Sequence, residues 1–285
     1  MIFDTVFMIR NGEFGTDFET KFFLVILGIG ICFYDWYSHG KRKDYFWVFI
    51  VGTIIWTLTE FSQQSSGVRE MAAGTLFGVQ LPRIVSNIIQ GSSEGAFIAI
   101  MGLFVADRLL EHDKRQKVLA IVFYSGFILY TIIGTALQAV SFKDVGASVA
   151  SRRDMLAPMA LVFLSSCLAL IIIFLMKYPY PAVKKRCICM LAIMAIFATV
   201  WTISEVLANT RWIEVGTFGT STEAPPLIEF SALAWDVLVE IAGAYVPFLI
   251  IPYLFKLIKN PEHRIPGAEV PNLDSKIETD AQVAA

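Results

Sequence analysis

Seven long apolar stretches constrain this chain more than any other feature. They lie near residues 20–38, 45–64, 84–110, 117–140, 155–177, 186–208 and 228–258, and a bilayer core takes about 20 such residues per helix. Lipid cannot satisfy the polar groups of irregular backbone, so each stretch is expected to be helical. Composition agrees: of 285 residues, 56% are hydrophobic, 17% are charged, and mean hydropathy is +0.62. A soluble domain of this length has too little interior to hide that surface. The reading is an all-α integral membrane protein with seven transmembrane helices, multi-pass in a cell or inner membrane, whose first partner is the lipid bilayer.

A net charge of −2 with no basic tract gives nucleic acid nothing to bind. Cys32, Cys167, Cys187 and Cys189 sit in or beside apolar runs and read as small buried hydrophobes. The run Met1–Ile9 is interrupted by Asp4 and lacks a basic start, unlike a signal peptide. Alternate loops hold fifteen Lys and Arg residues, with Arg108 and Arg186 counted among them at the loop edges, and eight. The positive-inside rule then puts the N-terminus outside and the C-terminus in the cytoplasm.

The chain also repeats itself. Trp56-Thr57-Leu58-Thr59-Glu60 returns as Trp201-Thr202-Ile203-Ser204-Glu205, 145 positions on. An acid follows each copy (Glu70, Glu214), then a glycine-bracketed loop (Gly74–Gly78, Gly216–Gly219), then proline (Pro82; Pro225 and Pro226). The next stretch carries Glu94-Gly95-Ala96 in one half and Glu240-Ile241-Ala242 in the other. Four matches in order predict a parallel 3+1+3 internal repeat, with a pseudo-twofold along the membrane normal. The expected organisation is an outer N-terminal segment (1–19), a first repeat (20–112), a linker helix with an outer loop (113–154), a second repeat (155–259) and a disordered cytoplasmic tail (260–285). In topology alone this resembles the SWEET-type sugar transporters, whose motifs are absent.

The apolar stretches contain Glu60, Glu94, Glu205, Asp236 and Glu240, and no Lys, Arg or His lies deep beside them. An acid at a helix centre costs about 2.5–3.5 kcal/mol, so protonation, proton sharing or a bound cation is expected. Trp56, Glu60 and Gln64 share one helical face, as do Trp201, Glu205 and Asn209, and Asn87, Gln90 and Glu94. All eleven residues are candidate ligands of a small cation or small-molecule substrate in a cavity open to the outside. Trp beside Glu suits an organic cation, and oxygen ligands suit a hard metal such as Ca²⁺. No cofactor is specified, and no catalytic residue is assigned. The first expectation is a transporter-like protein binding a cation or a proton-coupled solute. The alternative is an intramembrane acid-catalysed enzyme acting on an apolar or lipid-like substrate, a general plan similar to that of membrane-bound terpene cyclases. The third is a non-catalytic subunit or receptor. With unpaired acids, Glu94→Gln and Glu240→Gln are expected to leave stability unchanged or raise it.

Overall fold

A computed structural model describes residues 5–11, 18–137, 151–217 and 219–258. Seven helices run in it: α1 (Phe18–Ser38), α2 (Asp44–Ser65), α3 (Arg83–Leu110), α4 (Lys114–Leu137), α5 (Pro158–Lys177), α6 (Pro181–Leu207) and α7 (Pro226–Leu254). Their bounds fall within a few residues of the apolar stretches. The tail 260–285 lies outside the described residues, as do 138–140 at the end of the expected fourth stretch. Six helices are long and apolar enough to cross a membrane, which marks the chain as a multi-pass membrane protein. The seventh, α1, carries Glu19, Lys21 and Asp35 and is not among the six.

The purely helical expectation missed a β-sheet. Strands β1 (Thr5–Arg10), β2 (Arg69–Met71), β5 (Ser151–Asp154), β6 (Arg211–Gly216) and β7 (Thr222–Glu223) form one antiparallel sheet in the order β2-β5-β1-β6-β7. They precede α1 or join α2 to α3, α4 to α5 and α6 to α7, so those helix ends share a side. Short strands escaped notice because their alternation covers only two to six residues. Strands β3 (Thr75–Leu76) and β4 (Val79–Gln80) form a separate hairpin. Its turn places Phe77 and Gly78 at φ +50° and +75°, the pair of positive angles that a tight hairpin needs. This turn is the first glycine-bracketed loop.

Helices α3 and α7 form the centre, with 89% and 72% of their most apolar windows buried, against 6% for α4. Each is interrupted midway by a π-helical segment, Gly91–Phe97 and Asp236–Ile241. Such segments re-aim the side chains around them and recur at functional sites. The first segment packs tightly on α2. A Cβ on Gly91 would meet Thr57 Oγ1 at 2.1 Å, and one on Gly95 would meet Trp56 Cβ at 2.5 Å. Only glycine permits this approach, which brings Trp56 and Glu94 together.

The helix ends far from the sheet are closed. Ile98–Arg108 of α3 is buried throughout. Arg186 donates to both oxygens of Asp107 at 2.6 Å and to Tyr253 Oη at 2.6 Å, while Tyr45 Oη donates to Asp107 at 2.9 Å. Arg108 pairs with Asp35 at 3.3 Å and Glu111 at 2.5 Å and contacts His39 at 2.8 Å. Arg108 and Arg186, read from sequence as loop charges, are fully buried.

Candidate functional site

The inner face of the sheet carries four arginines. Register sets Arg69 opposite Arg153 and Arg10 opposite Arg211. Like charges directly across a ladder repel, so this face requires anions beneath it. The helices supply them. Glu60 on α2 pairs with Arg69. Glu205 on α6 pairs with Arg211 and lies 3.9 Å from Arg10. Asp236 on α7 pairs with Arg211 and lies 3.5 Å from Arg153, which also pairs with Glu240. Glu94 on α3 meets Lys21 Nζ at 3.0 Å.

This corrects the expectation of unpaired acids. Five acids face five bases, and all five acids are buried along with Lys21, Arg69 and Arg211. Four of the bases stand outside the apolar stretches, on strands, while Lys21 lies at the very start of the first stretch, in the first turn of α1; all five reach in. The available signal was their spacing: Arg69 and Arg211 follow the repeated Glu by nine and six residues. Arg10 illustrates the electrostatics. Burial opposes its charge, but Glu205, Asp236 and Glu94 outweigh that and raise its pKa. For Arg211, burial and the neighbouring Arg10 prevail over Glu205 and Asp236, and the pKa is lowered.

A cavity lies between sheet and helices, lined by Arg10, Arg69 and Arg153 above and by Trp56, Trp201, Glu94, Asp236, Glu240 and Tyr245 around it. Trp56 stacks on Tyr245 with centroids 5.3 Å apart, and its buried Nε1 has no hydrogen-bond partner. Trp201 is occupied from within: the guanidinium carbons of Arg10 and Arg211 stand 5.1 and 5.6 Å from its ring centroid. The place reserved in sequence for an organic cation is thus filled by the protein's own arginines.

Two further cavities adjoin. One, between α1, α3, α4 and α6, has Leu24, Ile98, Phe127 and Phe197 in its walls, with Lys21, Glu94 and Glu205 also lining it, and shares Glu94 and Trp201 with the central cavity. The other, between α2, α5 and α7, is lined by Glu60, Leu164 and Glu240 and shares Trp56 and Arg153 with it.

The remaining expected residues separate. Gln64, Asn87 and Gln90 line a cleft beside β2 and the hairpin, with Gln64 Nε2 donating to Asn87 Oδ1 at 2.9 Å and Gln90 Nε2 to Glu94 Oε2 at 3.2 Å. Asn209 joins neither group. Helix α6 ends at Leu207, and Asn209 is an exposed turn residue at φ +56°. Among the described residues no three His, Cys, Asp or Glu side chains are grouped to hold a metal ion, so the oxygen-only Ca²⁺ site is not formed there. Comparison with protein-family models, characterised proteins and solved structures finds no match to this chain.

Proposed function

We propose that this chain is a transporter-like membrane protein that binds a small dipolar solute in the central cavity. The observation carrying the reading is the charge balance around that space. A net excess of acid would select a cation, whereas adjacent Arg and carboxylate groups match a solute bearing both signs. Arg10, Arg69 and Arg153 face its anionic end, and Glu94, Asp236 and Glu240 its cationic end. Trp56 Nε1 supplies a free donor. The closed far ends of the helices and the cavity under the sheet suit a state accessible from the sheet side only.

Orientation and repeat belong to the same proposal. The sheet lies outside: its side counts eight Lys and Arg residues against fifteen on the other, and six of the eight, Arg10, Lys21, Arg69, Arg152, Arg153 and Arg211, are set against buried acids. A twofold between β5 and β1 exchanges β2 with β6, Arg69 with Arg211 and Arg153 with Arg10. The paired π-helical segments carry Glu94 and Glu240 and support the 3+1+3 arrangement.

Thermal unfolding in detergent micelles with glycine betaine, choline or acetate tests the binding reading. Betaine should stabilise most, since a ligand that binds only the folded state shifts unfolding by mass action, and both Glu240→Gln and Arg153→Gln should abolish the shift. A larger shift with choline that survives Arg153→Gln would return the reading to a cation, and no shift with betaine would remove the dipolar one. The apolar walls of Leu24, Ile98, Phe127 and Phe197 favour a second reading, an enzyme whose apolar substrate lies there beside the carboxylates of Glu94 and Glu205. Phe127→Trp, which fills that cavity, should then block substrate binding and leave the betaine shift intact.

A further inference from the structure

The cleft beside β2 has a volume of about 870 Å³, and its chemistry differs from that of the central cavity. Its wall on α3 is amide-rich. Asn87 and Gln90 are 2% and 0% exposed and lie three residues apart, on one helical face. Asn87 Nδ2, a donor, and Gln90 Oε1, an acceptor, are both buried and have no hydrogen-bond partner. An unmade bond at such a group costs about 1–3 kcal/mol, so the pair calls for an occupant. A metal cation cannot accept from Nδ2, and a carboxylate cannot donate to Oε1. A hydroxyl group does both at once. Toward the cleft mouth, exposed Arg83 donates from Nε to Gln64 Oε1 at 2.9 Å and forms no ion pair among the described residues. Its planar fork suits a carboxylate. Gln64 links this arginine to Asn87, so charge recognition and hydroxyl recognition share one wall.

We infer that this cleft binds a small hydroxylated carboxylate, with hydroxyl groups on Asn87 and Gln90 and the carboxylate on Arg83. The site is independent of the solute proposed for the central cavity. Arg69 lines both spaces.

Equilibrium binding of D-gluconate, sorbitol and acetate to the purified full-length protein in micelles tests the assignment. Gluconate should bind, sorbitol should bind about tenfold more weakly for want of the Arg83 contact, and acetate should not bind measurably. Asn87→Leu with Gln90→Leu should weaken gluconate and sorbitol about tenfold or more. Arg83→Gln, on an exposed side chain that does not endanger folding, should erase the preference for gluconate over sorbitol and leave sorbitol binding intact. Glu240→Gln, which alters the central cavity, should leave all three unchanged. Gluconate binding that is absent in the wild type, or that survives both the leucine pair and Arg83→Gln, would overturn the inference and leave water as the partner of these amides.

Discussion

Glu94→Gln separates a charge-balanced site from one of unpaired acids, because the two predict opposite signs. Glu94 is 8% exposed and Lys21 1%, with Oε1 and Nζ 3.0 Å apart. At an effective dielectric of about 20, that separation corresponds to roughly 5 kcal/mol of attraction. The amide keeps the shape and the bond to Gln90 but removes the Glu94 charge from beside the buried Lys21 ammonium. Breaking a buried pair from one side costs about 3–5 kcal/mol. Unfolding temperature moves roughly 2–3 °C per kcal/mol at this length, so the variant should melt about 6–15 °C lower in micelles at neutral pH. Lys21→Met should fall by a similar amount. The double variant should recover most of the loss, since neutral groups of similar volume replace the pair with little net cost. If Glu94→Gln melts at or above wild type while Lys21→Met is destabilised, Glu94 is a protonated, unpaired acid and the balanced network is wrong.

Other outcomes follow from single contacts. Gly91→Ala should destabilise by about 1–3 kcal/mol because its Cβ would collide with Thr57, whereas Gly126→Ala, with nothing within 4 Å, should be neutral or up to about 1 kcal/mol stabilising; paired melting curves decide. Arg186→Met strips Asp107 of its bidentate partner and should cost about 3–5 kcal/mol, a loss that Arg186→Lys recovers only in part because an ammonium makes no fork. At Glu111, burial works to raise the pKa, but the hydrogen bond with His39 and the charge of Arg108 hold it below the ordinary value. A depressed carboxylate stabilises the fold above its unfolded pKa of about 4.3 and loses that contribution as pH falls through the folded value. Glu111→Gln should therefore flatten the decline in melting temperature at acid pH, below roughly 4.3, and change its slope little near neutrality.

The helices were legible because bilayer thickness and backbone satisfaction act on contiguous residues: twenty apolar positions in a row need no tertiary information. The acids of the site were legible for the same reason, since Glu60, Glu94, Glu205, Asp236 and Glu240 interrupt apolar runs, and Glu60 and Glu205 share helical faces with Trp56 and Trp201. Their partners were not. Arg10, Lys21, Arg69, Arg153 and Arg211 stand at helix starts or in strands a few residues long, where charge is ordinary. Only pairing among four chain segments distant in sequence turns one sheet face into a row of arginines above the acids. Arg108 and Arg186 misled for the same reason, being loop charges by position and core residues by packing. Gln64 and Asn209 occupied equivalent places in the repeat, yet one bonds Asn87 across the cleft and the other caps a turn, because α6 ends before Asn209 while α2 continues through Gln64. Linear spacing specifies which residues share a helix face. Where that face ends, and which charges fold back onto it, depends on free energies of contacts between segments that the chain order does not contain.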